Sequence, residues 1–168
     1  MPIDDIVGDI LLREGGWVDH EADRGGATNM GVTLPTLSDW LGRQATIEDL
    51  KALTEADART LYTELYITKP GFGFIPNQKM LALVVDMSVN HGLKAAVKML
   101  QRAVGTEDDG VLGPKTKDAV QAANYGQLYL RLCAERVRFY GRLITKNPSQ
   151  SVFAAGWANR AAEFIEEA

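Results

Sequence analysis

A chain of 168 residues is long enough for one compact domain with its own core. Its 46% hydrophobic and 24% charged content is that of an ordinary globular protein, and excludes a disordered or fibrous chain. A formal net charge of −4 argues against nucleic acid as a main partner, though so mild an excess leaves room for a local basic groove.

The N-terminal "MPIDDIVGDILL" has three aspartates, no basic n-region and no cleavage site. It predicts synthesis in the cytoplasm without a Sec-type signal peptide. No stretch reaches the about 20 apolar residues that a bilayer crossing needs, so stable membrane insertion is not expected. Ile3, Ile6, Val7, Ile10 and Leu11 fall on one face of a first helix, with Asp4 and Asp5 at its positive end. Gly15 and Gly16 stop that helix. From Trp17 to Thr33 the helical period is lost, and Gly25, Gly26 and Gly31 predict a small irregular β-hairpin. Pro35 opens a short helix, "PTLSDWL", which Gly42 closes.

Thr46 with Asp49, and Thr54 with Asp57, are capping boxes for the next two helices. Residues 68–77, "TKPGFGFIPN", read as a loop, and Asn77 caps the apolar helix "QKMLALVVDMSVNH" that Gly92 ends. "LKAAVKMLQRAV" runs to Gly105, "TEDDGVLG" is a turn, and Pro114 starts "PKTKDAVQAAN". The long helix "GQLYLRLCAERVRFYGRLITK" ends near Pro148, and "SVFAAGWANRAAEFIEEA" supplies the last one. Cys133, the sole cysteine, sits in an apolar stripe, so the fold uses no intramolecular disulfide and the thiol reads as core. The expectation is a mainly α-helical single domain, 1–168, with a small N-terminal hairpin. Residues 1–92 would form the chemical part and 93–168 a helical part, with no flexible junction between them.

Glu14 stands out. It ends a helix, where the unpaired carbonyls make an ionised carboxylate unfavourable, and partial burial would act the same way. A carboxyl that keeps its proton is what a general acid needs. Paired with Arg13 or Arg24 it would be only a frayed helix end. Asp23 follows nine residues on and Thr28 five after that. A helix glutamate and a hairpin aspartate can face each other across a groove, the arrangement glycoside hydrolysis uses, with a threonine to hold water. Asp19 and Glu21, in the same hairpin, compete with Asp23 for that role.

The stretch "REGGWVDHEADRGGATNMGVT" resembles the EGG-motif muramidases of glycoside hydrolase family 108 and, more distantly, the lysozymes of tailed phages. The likeness continues through "DMSVNHG", "DGVLGPKT" and "GWANR", in order, over nearly the whole chain. It implies a lysozyme-like fold whose hairpin lines the cleft, and an N-acetylmuramidase acting on peptidoglycan glycan strands without a cofactor. Glu14 is then the acid. The more distant phage lysozymes imply water-handling roles for Asp23 and Thr28. Trp17 stands where the family commonly has tyrosine, and either ring can stack on a sugar. The implied protein is an endolysin or a secreted antibacterial effector, reaching the wall through a pore or a secretion system; a monomer is the default expectation.

The remaining candidates are weaker. His20 lies among carboxylates but without HExxH spacing, so no metal is expected; it would serve as a cleft residue hydrogen-bonding sugar or a carboxylate. Asp86 and Asn90, four apart on one helix face, are candidates for a polar groove wall, or else a buried pair satisfying backbone. Trp157 and Arg160 read as packing and surface pairing. "DGVLGPKT" is similar to peptidoglycan-binding helical modules. Two rival functions stand beside the muramidase: a non-catalytic wall-binding or tail protein, and a lytic transglycosylase, for which Asp23 would be dispensable.

Overall fold

The structure, a computed structural model, describes residues 3–18 and 26–166. Asp19, His20, Glu21 and Asp23 lie outside the described residues. The described residues are mainly helical, with nine α-helices and one two-stranded sheet. They pack as two compact units, Met1–Lys69 and Pro70–Ala168.

In the first unit, α1 (Ile3–Glu14) buries Ile6, Val7, Ile10 and Leu11, the face its 3.6-residue period predicts, against α4 (Glu55–Thr63). Strands β1 (Thr28–Asn29) and β2 (Val32–Thr33) pair antiparallel, with Thr28 opposite Thr33 and Asn29 opposite Val32. Met30 and Gly31 form the two-residue turn between them, both at positive φ (50° and 73°), as a twisted tight hairpin demands. Thr33 ends β2 and caps α2 (Leu34–Leu41), accepting a hydrogen bond from the Thr36 amide at 3.3 Å, and Gly42 closes that helix at φ 65°.

Both capping boxes form: Thr46 and Asp49 start α3 (Ile47–Ala52), and Thr54 and Asp57 start α4. The helix that α4 begins then widens into a π-helical stretch, Glu64–Thr68, which the apolar period did not announce. There Glu64 accepts the indole N–H of Trp40 at 2.7 Å.

The second unit opens on a 3₁₀ turn, Phe72–Phe74, inside the expected loop. Asn77 caps α5 (Gln78–His91) by accepting from the Met80 amide at 2.9 Å. Helix α5 packs on α6 (Leu93–Val104), which packs on α8 (Tyr125–Lys146), and α8 on α9 (Ala154–Glu166). A 3₁₀ turn, Pro148–Phe153, occupies the start of the expected last helix. The "TEDDGVLG" segment is the expected turn: the Gln101 side chain donates to Asp109 Oδ1 (2.7 Å) and the Val111 carbonyl (3.0 Å) and accepts the Gly110 amide (2.8 Å). It leads into α7 (Pro114–Ala122). Cys133 is buried and free. No helix among the described residues is long and apolar enough to cross a membrane.

Candidate functional site

Glu14 is the last residue of α1 and half-buried. The helix stops there because Gly15 turns to φ 76° after its amide reaches the Leu11 carbonyl at 3.2 Å. The chain then doubles back: Val18 exchanges both backbone hydrogen bonds with Thr28, at 2.9 and 2.8 Å, and the Met30 amide reaches the Gly16 carbonyl. Thr28 is thus paired on both sides, with Val18 and with Thr33.

The hairpin turn lies against the stem of Glu14. A Cβ on Gly31 would stand 2.8 Å from Glu14 Cβ, 2.9 Å from its Cγ and 2.6 Å from the Tyr62 hydroxyl oxygen. No residue but glycine fits both that space and the positive φ. The Tyr62 hydroxyl donates to the Met30 carbonyl at 3.1 Å, tying α4 to the turn. Tyr66 follows, its ring 5.4 Å from that of Tyr62. Burial, and next the nearby charge of Glu14, raise the Tyr66 phenol above its usual range.

Three separate segments thus frame one carboxyl: the end of α1, the hairpin turn, and the α4 helix with its π-helical continuation. In the sequence Tyr62 and Tyr66 fall four apart on one face of α4 and its continuation. The signal in them is that a tyrosine turned into a core needs a partner for its hydroxyl. Trp17 is 38% exposed, three residues past Glu14, with the Lys51 ammonium 5.3 Å from its ring centre. A cavity of about 480 Å³ on the flank of α1, lined by Asp4, Asp9, Glu55 and Arg59 among others, does not include Glu14.

We expect Gly31→Ala to lower stability by at least about 1–2 kcal/mol, because the left-handed backbone and the clash act together. Displacing the Glu14 stem should also cut turnover on the order of 10²-fold. Thermal melts and rates on the same preparation check both.

Asp86 has a different place from the one expected. It is 1% exposed and belongs to an ion cluster inside the second unit. Arg136, itself fully buried, donates to Oδ2 at 2.6 Å, and Arg160 to Oδ1 through Nε (3.1 Å) and an Nη (2.7 Å). Arg136 also donates to the Tyr140 hydroxyl at 2.7 Å, and Trp157 stacks on Tyr140 at 5.2 Å. Asp86 is therefore a structural anion, not a groove wall, and Arg160 pairs inward instead of on the surface. Asn90 is exposed and donates to the Asp86 backbone carbonyl at 2.7 Å.

His91 borders this cluster, its ring tilted against Phe139 and edge-on to Tyr140, with centroids 4.9 and 5.2 Å away. Burial, then the Arg136 charge, pull its pKa down to about 4, against an opposing pull from Asp86. The folded protein therefore holds His91 neutral. The unfolded chain takes up that proton below about 6.5. This contribution to stability is complete above pH 6.5 and is lost as pH falls towards 4, by roughly 2–3 kcal/mol in all. Urea melts from pH 7 to pH 4 should show the slope in the wild type and a flatter one in His91→Phe.

A mainly helical chain that ends its first helix on a glutamate and folds a short hairpin back against it has the lysozyme-like fold. Residues 7–92 match the family model for Glycosyl hydrolase 108, and residues 95–162 that for a Predicted Peptidoglycan domain. The chain belongs to the glycosyl hydrolase 108 family. It is similar to the solved structure of Brucella abortus SagA, at 35% identity over 98% of this chain and 92% of that one, with a TM-score of 0.84. No curated protein matches. The protein is a glycoside hydrolase of the lysozyme type, and its substrate is peptidoglycan. The first family match runs past the first compact unit to include α5.

Proposed function

We propose that the protein is an N-acetylmuramidase that cuts the β-1,4 bond between N-acetylmuramic acid and N-acetylglucosamine, with Glu14 as general acid. The observation that carries this reading is the clamp on Glu14. A carboxyl whose stem is fixed by Gly31 and flanked by Tyr66 can be aimed within hydrogen-bond reach of a glycosidic oxygen.

In the reaction Glu14 gives its proton to the bridging oxygen, which leaves as the 4-hydroxyl of N-acetylglucosamine. The bonding pair departs with that oxygen, and positive charge builds on C1 and the ring oxygen of the muramic residue. Water attacks C1 and gives up a proton to a hairpin carboxylate, Asp23 in this reading, with the Thr28 hydroxyl helping to hold the water. Trp17, exposed three residues past Glu14, offers a ring face to a sugar, and His20 offers a polar contact.

Mass spectrometry of digested peptidoglycan tests the reading. Reducing muramic ends support it. Anhydro-muramic ends would make the protein a lytic transglycosylase, and wall binding without cleavage would leave it a binding protein.

A further inference from the structure

The acidic balance of the chain hides a sharp division. Residues 1–69 carry 6 Lys and Arg against 13 Asp and Glu, a net of −7, while residues 70–168 carry 12 against 9, a net of +3. Much of that positive charge lies on one face of α8. Its inner face buries Leu128, Tyr129, Leu132, Cys133, Arg136 and Tyr140. On the outer face Arg131, Arg138, Arg142 and Lys146 recur at helical spacing, all exposed, over about 22 Å of helix.

Two hollows open along this stripe and meet at Arg138. One of about 300 Å³ has Arg102, Arg131 and Glu135 in its lining, and one of about 490 Å³ has Gly141, Arg142 and Lys146. The sole carboxylate on the stripe, Glu135, is 9% exposed and accepts from Arg138 at 2.8 Å. Among the described residues no carboxylate lies within ion-pair distance of Arg131 or Lys146. A Cβ on Gly141 would meet nothing within 4 Å, so the bare backbone there answers no packing need of the protein itself.

We propose that this face of α8 docks the wall polymer by its peptide stems, the arginines and Lys146 pairing with stem carboxylates. The inference rests on the peptidoglycan-hydrolase reading and adds to it which surface of the second unit holds the wall and by which groups. Charge complementarity is the first support. In intact peptidoglycan the muramic lactyl carboxyls are tied up in amide bonds, so the anionic groups are those of the stems. The second support is the content of the stripe: the exposed apolar residues of the helix, Leu130 and Val137, lie to one side of it, and it carries no aromatic ring to stack on a base. The whole stripe also falls within the matched peptidoglycan domain, residues 95–162.

The test is sacculus binding by full-length protein carrying Glu14→Gln, so that the wall stays intact, with and without Arg131→Glu and Lys146→Glu. Both added substitutions are exposed and leave the pairs of Glu135 in place, so the melting temperature should hold. We expect about tenfold weaker binding at low ionic strength, the gap closing as salt rises. Sacculi whose carboxyls have been amidated with carbodiimide and ethanolamine should bind both forms equally and weakly, a result that needs no folded variant to interpret. Undiminished binding by the double variant, or the same loss on amidated sacculi, overturns the proposal. So does tighter wild-type binding to phosphatidylglycerol vesicles, lost in the variant, which would assign the stripe to anionic lipid. Cleavage by protein with Glu14 intact is scored separately. Loss of the hydrolase reading therefore shows as absent cleavage, and loss of the docking proposal as unchanged binding.

Discussion

Glu14→Gln should reduce turnover of peptidoglycan on the order of 10³-fold or more while leaving binding and melting temperature close to the wild type. The amide is nearly the shape of the carboxyl and can occupy the same position against Gly31 and Tyr66, so packing is preserved. What it lacks is a proton that can be transferred. A sugar hydroxyl is a poor leaving group unless it is protonated as the bond breaks, and that need is felt in the transition state alone. The loss should therefore fall on kcat and not on KM. Initial rates on purified sacculi, with sacculus binding measured in parallel, separate the two. Cleavage by Glu14→Gln at the wild-type rate would take the acid role from Glu14 and pass it to a hairpin carboxyl. Asp23→Asn extends the test: a muramidase should lose activity with it, whereas a transglycosylase, in which the muramic 6-hydroxyl attacks, should not.

The second large effect is on stability. Asp86→Ala should destabilise the second unit by about 3–5 kcal/mol, since it leaves Arg136 charged and buried with its carboxylate partner gone. With a urea slope of about 1–3 kcal/mol per molar, the midpoint should fall by more than about 1 M. Folded molecules of this variant should still cleave at a rate within severalfold of the wild type. A change in activity without a change in midpoint would return Asp86 to the role of a sugar contact. Arg136→Met alone should cost less, because Asp86 keeps its pair with Arg160 through Oδ1. Replacing Asp86, Arg136 and Arg160 together by apolar residues of similar size should recover much of the loss, the outcome that marks a charge cluster held by mutual compensation.

What could be read along the chain was what neighbouring residues decide among themselves. The capping boxes at Thr46 and Thr54, the Asn77 cap, the Gly42 and Gly105 stops and the buried face of α1 each depend on residues within a turn or two. The same locality made Glu14 conspicuous, since a carboxylate followed by two glycines at a helix end is visible in three letters. The family resemblance extended that reading to a reaction. The π-helical stretch after Thr63 and the 3₁₀ turns at Phe72 and Pro148 escaped it, because an apolar period does not distinguish hydrogen bonds to the third, fourth or fifth residue.

The sequence by itself determined the capped helix starts, the glycine stops, the hairpin turn and the glutamate on which the proposed chemistry turns. Only the tertiary structure decided what surrounds that glutamate and what the other polar residues do. Gly31 lies against both Glu14 and Tyr62, which come from separate helices, and Asp86 meets Arg136 and Arg160 across 50 and 74 residues of chain. A spacing that long carries no periodic signal. Asp86 and Asn90 looked alike on one helical face, yet one is sealed in a core of charges and the other is exposed. The difference comes from α8 and α9, whose arginines make burial of a carboxylate tolerable where no local rule could announce it.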